Sequence, residues 1–185
     1  MERKKKNIFE LTNFTLKEYR ESPKLPVIVL TDNVRSMYNI GSVFRTADAF
    51  MLEEIILAGI SGTPPHPEIT KTALGAEESV AWRHVDDPLR EVERMKGLGW
   101  KICVLEQTHN SLMLQDFKAS SNQKYLLVVG NEVSGVDQRI VDMADFVLEI
   151  PQSGVKHSLN VSVSTGIALW QIITSLQEDR RQSRQ

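Results

Sequence analysis

Short, β-branched apolar runs alternate along this chain with helix-length segments, and that alternation constrains the fold more than any other feature. Residues 26–31, PVIVLT, read as a buried strand between breakers. Further strands are expected at 54–58, weakly at 79–84, at 101–105, at 125–129 (the most apolar) and at 146–150. Helices are expected between them over 39–50, with Asn39 as a plausible cap, and over 68–76, 87–97 and 137–143; the longest spans 158–177. Residues 61–67, SGTPPHP, form a loop, and 111–117 are too short to assign. Such alternation predicts an α/β fold, a mainly parallel sheet flanked by helices. Sheets of this kind bind ligands outside the carboxyl ends of their strands. The loops after Leu105, at Gly130 and at Ile150 are therefore the expected place for a site.

A chain of 185 residues suits one compact domain. That domain is expected over 25–177, after a basic arm or short helix at 1–24 and before a charged tail at 178–185. No run of about 18 apolar residues is present, so no membrane span is expected. The opening Glu2, Arg3, Lys4, Lys5, Lys6 lacks the apolar stretch of a signal peptide. One cysteine, Cys103, cannot form an internal disulfide, which fits a reducing cytoplasm. The net charge is −2, but residues 1–45 carry nine Lys/Arg against five Asp/Glu, whereas 46–177 carry ten against seventeen. Bulk charge therefore does not imply a nucleic-acid partner. A basic patch for RNA would have to be local, built from the termini and a few placed arginines. Lys4, Lys5, Lys6, Arg180, Arg181 and Arg184 are the candidates, with a solvated tail as the plainer alternative.

Several chemistries lack their anchors. There is no GxGxxG after the first strand, no GxxxxGK[ST] and no GxSxG elbow. His66, His84, His109 and His157 have no metal-ligand spacing, so no metal site is expected. The positive signal lies in three segments. NIGSVFRTADAF (39–50) sets Arg45 among apolar and small residues, where it needs an ion pair or an anionic ligand. LLVVGNEVSGV (126–136) ends an apolar strand in Gly130, Asn131 and Glu132. EIPQSGVKHSLNVSVSTGIALW (149–170) runs from a strand end through a loop into a helix opened by Ser158 or its neighbour. Ser158, Ser162 and Gly166 would let that helix approach another backbone closely, and ordinary helix packing uses the same residues.

Together these segments resemble the TrmH (SpoU) family of RNA ribose 2′-O-methyltransferases, within the SPOUT superfamily. The first family motif falls on Asn39, Gly41, Arg45 and Thr46, the second on Gly130, Asn131, Glu132 and Gly135, and the third on Ile150, Pro151, Gly154, Ser158, Leu159 and Asn160. The resemblance covers about residues 25–177. One departure is Met51, where the family usually has glycine. The resemblance implies a deep C-terminal trefoil knot and an RNA substrate, with the D-loop guanosine of tRNA favoured over ribosomal RNA, and with a non-catalytic RNA-binding protein that kept the fold as the alternative. Homodimerisation is expected because it would join two basic surfaces across one substrate. The resemblance also implies S-adenosylmethionine as cofactor, held at Leu105, Gly130, Ile150 and Leu159 largely through backbone groups. Gly130→Val is then expected to block the adenosine moiety while leaving the fold largely intact. The implied catalytic set is Arg45, Asn39, Glu132, Ser158 and Asn160. Arg45 is there either a general base or a clamp on RNA phosphate. Asn39 and Asn160 would position ribose or loop backbone, Glu132 would hold the motif loops or the substrate arginine, and Ser158 would cap the last helix and touch the cofactor or ribose. Ile167, Trp170 and Ile173 of that helix would contribute to the dimer interface.

Overall fold

The computed structural model describes residues 3–7 and 14–183. The strands are β1 (Leu25–Asp32), β2 (Leu52–Ala58), β3 (Trp82–Val85), β4 (Trp100–Leu105), β5 (Leu112–Met113), β6 (Lys124–Val129) and β7 (Phe146–Glu149). They form one sheet in the order β3-β2-β1-β6-β4-β7-β5, and every neighbouring pair is parallel. All carboxyl ends therefore lie along one edge.

Alternate residues of the central strands feed two cores. Val27 and Val29 of β1, with Tyr125, Leu127 and Val129 of β6, face one side. There they meet Phe44 of α2 (Met37–Ala49), Ile69 of α3 (Pro67–Ala73), and Leu169 and Ile172 of α7 (Val161–Gln182). Ile28, Leu30, Leu126 and Val128 face the other side, against Val92 and Met95 of α5 (Pro88–Gly97) and Ile140 of α6 (Gln138–Met143). Burial on both faces explains why these strands read as continuous apolar runs. Two short helices complete the elements, α1 (Leu16–Glu21) and α4 (Ala76–Ser79).

Local chemistry sets the helix ends. Thr15 and Glu18 close a capping box on α1. Asp87 caps α5, and Pro88 occupies its first turn. Gly41 lets α2 ride directly on α3, because a Cβ there would stand 2.1 Å from Thr72 Oγ1 and 2.3 Å from the Ile69 carbonyl oxygen.

Several boundaries differ from the sequence expectation. α2 starts at Met37 under a Ser36 cap, so Asn39 lies inside the first turn and is not the cap. α7 starts at Val161 under an Asn160 cap, so Ser158 lies in the preceding loop. The same helix continues to Gln182, which places most of the expected tail in ordered structure. The helix expected at 68–76 breaks at Leu74 and Gly75, both left-handed, and resumes as α4; the weak strand therefore begins only at Trp82. Residues 111–117 hold the two-residue β5 and a 3-10 turn, with Leu114 and Phe117 anchored in the core. Residues 8–13 of the expected basic arm or short helix, and Arg184 of the expected tail, lie outside the described residues. Met51, where the family resemblance expects glycine, has φ 55, the left-handed conformation that glycine adopts without steric cost.

β7 sits between β4 and β5, so the connection 106–111 straddles its carboxyl end. The Glu106 N–H donates to the Leu148 carbonyl at 3.1 Å, and Ser111 Oγ meets the Glu149 carboxylate. The chain leaves β7 beside this connection, and Gln107 Nε2 donates to the His157 carbonyl at 3.0 Å. Beyond it, α7 packs on the first core, where Ser175 Oγ accepts from Ala119 N–H at 2.7 Å.

Candidate active site

The ends of β4, β6 and β7 frame a cleft of about 630 Å³. Leu105, Gly130, Ile150 and Leu159, the four expected cofactor residues, all line it, as do Glu132, Ser158 and Asn160. Asn39 reaches the same place through its side chain, and Arg45 does not.

Glu132 joins the second motif to the first. Its carboxylate accepts from the N–H groups of Arg35 and Ser36, each at 3.1 Å, and from Asn39 Nδ2 at 3.0 Å. Partial desolvation pushes this carboxyl up, but the hydrogen bonds from Arg35, Asn39 and Ser36 outweigh it and hold it below the usual carboxylate range. Asn39 Oδ1 in turn accepts from Asn160 Nδ2 at 3.0 Å. Asn160 Oδ1 caps α7 by accepting from Ser162 N–H at 2.9 Å and Val163 N–H at 3.3 Å. One residue from each motif thus joins a continuous chain of hydrogen bonds, Glu132 to Asn39 to Asn160. The two asparagines point at each other and at the loops. Ser158 is exposed on the cleft wall and does not cap the helix.

Gly130 serves its own loop. A Cβ there would stand 2.2 Å from the Gly135 carbonyl carbon and 2.3 Å from Val136 N. The 131–135 turn, closed by paired Asn131–Gly135 backbone hydrogen bonds at 3.1 and 3.0 Å, folds back against it. A valine at 130 would therefore deform the loop itself, which corrects the expectation of an intact fold.

Arg45 stands on the exposed side of α2, outside the cleft, and makes no hydrogen bond or ion pair among the described residues. The expectation of a half-buried arginine wedged among apolar neighbours is overturned by helical phase. Val43, Phe44 and Ala47 turn inward, and position 45 falls on the opposite side.

Sequence reasoning missed several supporting residues. Glu106, one residue past β4, lines the cleft and accepts from Val136 N–H at 3.2 Å and Gln107 N–H at 2.9 Å. Asp32, 2% exposed at the end of β1, accepts from Asp137 N–H at 2.8 Å and Asn33 Nδ2 at 2.7 Å. Burial nevertheless pushes its carboxyl up. Asn131 Nδ2 donates to the Asn33 carbonyl at 2.7 Å, so the cleft loop is latched to the end of β1 at two points. The available signal was an acid immediately after an apolar strand, which Asp32 and Glu106 share.

Among the described residues, the cleft walls carry two acids, Glu106 and Glu132, and no lysine or arginine. Apolar Leu105, Val129, Ile150 and Leu159 and uncharged polar side chains such as Gln107, Thr108, Asn131 and Ser158 make up much of the rest. That lining suits a nucleoside cofactor that is cationic and lacks phosphate. A parallel sheet with such a cleft at its strand ends defines an α/β enzyme that binds a small cofactor there.

The chain belongs to the SpoU rRNA Methylase family, whose model matches residues 26–170, and it is a methyltransferase of that family. The tRNA (guanosine(18)-2'-O)-methyltransferase of Aquifex aeolicus is 31% identical over 171 residues, 91% of this chain and 79% of that protein. The 23S rRNA (guanosine-2'-O-)-methyltransferase RlmB of Pseudomonas putida is 28% identical over 172 residues, 92% of this chain and 67% of that protein. Among solved structures, the A. aeolicus TrmH/SpoU tRNA modifying enzyme matches with a TM-score of 0.78 at 30% identity, covering 88% of this chain and 81% of that one. The SpoU methyltransferase AviRb from Streptomyces viridochromogenes, in complex with the cofactor AdoMet, matches with a TM-score of 0.71 at 25% identity, covering 86% of this chain and 64% of that one.

Proposed function

We propose that this chain transfers the methyl group of S-adenosylmethionine to an RNA ribose 2′-hydroxyl, with tRNA, at its D-loop guanosine, favoured over ribosomal RNA. The observation that carries the reading is the Glu132–Asn39–Asn160 hydrogen-bond chain at a cleft with acidic and apolar walls. S-adenosylmethionine supplies a methyl group already activated on a cationic sulfonium. Leu105, Gly130, Ile150 and Leu159 would hold it, and the acids Glu106 and Glu132 give the cleft a field suited to a cation. Ser158, in the loop before α7, would face the ribose, and Asn160 would hold the loops in place. The hydroxyl proton must leave as the new C–O bond forms. A guanidinium stays protonated, so Arg45 is a poor base and a good clamp on the adjoining phosphate, with phosphate or water taking the proton.

Arg45 lies outside the cleft of its own chain, and homodimerisation is the second part of the reading. Val163, Ile167 and Trp170 project from α7 with exposures of 52%, 41% and 60%, and a Cβ at Gly166 would meet nothing within 4 Å. A second copy seated there would bury this apolar face and bring further cationic surface to each cleft. Ile173, expected in that interface, is a core residue. The passage of 150–160 beside the 106–111 connection supports the trefoil knot as part of the same proposal. Cys103 is a buried free thiol, which supports a cytoplasmic location.

The test is to incubate the protein and S-adenosylmethionine with total RNA from cells lacking it, and to map the 2′-O-methyl positions gained. A modified tRNA guanosine is expected. Modification confined to ribosomal RNA would move the substrate, and ribose methylation of neither would overturn the reading.

A further inference from the structure

α2 presents one outward stripe, Tyr38, Ser42, Arg45 and Ala49, opposite the buried Ile40, Phe44 and Ala47. Tyr38 is 42% exposed and adjoins Asn39, the middle member of the hydrogen-bond chain at the cleft. Its carbonyl accepts from Thr72 Oγ1 at 3.0 Å and from Ser42 Oγ at 2.9 Å, which fixes the backbone beneath the ring. Lys71 Nζ, from α3, stands 5.7 Å from the ring centroid. Arg35 precedes the helix, its backbone held by Glu132 and its side chain in solvent.

The cations of this surface have no carboxylate partner among the described residues, in contrast to several arginines and lysines elsewhere on the chain. Arg83, Arg90, Arg94, Lys101 and Arg139 are each matched to a carboxylate. Arg35, Arg45 and Lys71 have no ion pair among the described residues, on a chain whose net charge is −2. An exposed aromatic ring flanked by unmatched cations is the arrangement that holds single-stranded nucleic acid, with the ring under a base and the cations on the phosphates either side. A protein partner would have to bring acids to the same three positions, whereas an RNA strand carries them in every nucleotide.

We propose that Arg35, Tyr38 and Lys71 form a stacking platform for one unpaired RNA base beside the cleft. Tyr38 takes the base against its ring, and Arg35 and Lys71 hold the flanking phosphates. The platform rests on the RNA reading above and adds to it a requirement for an unstacked nucleotide next to the target. It gives the enzyme a preference for loops over continuous duplex.

The test compares wild type with Tyr38→Ala, Tyr38→Phe and the double variant Arg35→Gln/Lys71→Gln. Affinity is measured for a 12-nucleotide single-stranded RNA and a duplex of the same sequence, over a series of salt concentrations. Tyr38→Ala should weaken single-strand binding about tenfold and duplex binding far less, and Tyr38→Phe should restore it. The double variant should flatten the salt slope by about 1.4, the release expected for two single-strand phosphates. S-adenosylmethionine affinity should stay at the wild-type value in all three, which separates the platform from damage to the cleft. Single-strand binding by Tyr38→Ala within twofold of wild type would overturn the platform and leave the RNA reading standing. A wild-type protein that binds neither RNA would overturn both. Loss of the sedimenting mass of wild type in Tyr38→Ala would assign the ring to an interface between copies and likewise overturn the platform.

Discussion

Asn160 donates its side-chain amide to Asn39 Oδ1 at 3.0 Å, joining two residues 121 positions apart in the chain. Asn39 passes the connection on to Glu132, which also fixes the turn before α2 through two backbone N–H groups. Three loops that reach the cleft from β1, β6 and β7 are therefore set against one another by a single line of polar contacts. Asn39 is 8% exposed, so its amide has little water to fall back on.

Asn39→Ala should consequently leave the Asn160 amide without its partner and take one donor from Glu132. The expected cost is about 1–3 kcal/mol of folding stability, read by chemical denaturation. S-adenosylmethionine affinity should fall in parallel, because the loops that line the cleft lose their mutual register. Calorimetry that finds the cofactor bound as tightly as by wild type would remove Asn39 from the site's support.

Both the sheet and the location of the cleft were legible in the residues, for a physical reason. Strands buried on both faces become continuous apolar runs, as in 125–129, and a parallel sheet gathers its ligand loops at one edge. Helix starts were less legible. Ser36 and Asn39 are both capping types, and only the hydrogen bond from Asn39 N–H to Ser36 Oγ decides between them. The same ambiguity moved the cap of α7 from Ser158 to Asn160. The side-chain partners of Glu132 could not be read at all, because Arg35 and Asn39 lie more than 90 positions away and meet it only through strand order. Arg45 was misjudged because its sequence neighbours are apolar, whereas a helix turns successive residues to different faces.

Gly130 and Gly154 both belong to the matched motifs, yet their surroundings predict opposite results. A methyl group at 130 would collide with the backbone of Gly135 and Val136, and at 154 it would meet nothing within 4 Å. Gly130→Ala should destabilise the protein by about 1–3 kcal/mol and abolish cofactor binding. Gly154→Ala should stay within about 0.5 kcal/mol of wild type. Thermal denaturation of the pair checks the contrast, and equal behaviour would show that the 131–135 turn yields freely.

Acid should loosen the Glu132 latch. Its carboxyl sits below the ordinary 4.5, so its contribution to stability is present above that value and is lost as pH falls through the lower value in the fold. The stability difference between wild type and Glu132→Gln should be constant from neutral pH to about pH 5.5 and shrink in more acid solution. Asp32 works in the other direction, since burial raises its carboxyl and acidification relieves it. Glu132→Gln leaves Asp32 in place, so the difference between the two proteins isolates the latch. Denaturation curves at a series of pH values test it, and a difference that does not vary with pH would show that the latch carries no charge dependence.

The exposed face of α7 predicts a dimer that one substitution should weaken. Trp170 is 60% exposed although its ring also lies 6.2 Å from that of Phe50. Sedimentation at micromolar concentration should give twice the chain mass for wild type and a lower average mass for Ile167→Asp, since a carboxylate in a buried apolar contact is costly. A wild-type monomer with full methyltransferase activity would end the dimer proposal.

Arg45 gives the sharpest division between folding and chemistry. It is exposed, unpaired among the described residues and absent from the cleft wall, so the fold asks nothing of it. Arg45→Ala should therefore unfold within about 0.5 kcal/mol of wild type and bind S-adenosylmethionine unchanged. If the guanidinium holds the phosphate beside the reacting ribose, turnover on RNA should fall about a hundredfold or more, equivalent to roughly 2.7 kcal/mol of barrier. Arg45→Lys distinguishes the manner of holding. A lysine restores charge without the planar fork, so it should recover little activity if two parallel hydrogen bonds to phosphate are needed and most of it if charge alone suffices. The loss should appear in kcat more than in the KM for RNA, because an interaction that strengthens as the oxygen attacks is felt mainly in the transition state. A folded Arg45→Ala protein that methylates RNA at the wild-type rate would take Arg45 out of the reaction and return the exposed side of α2 to a purely binding role.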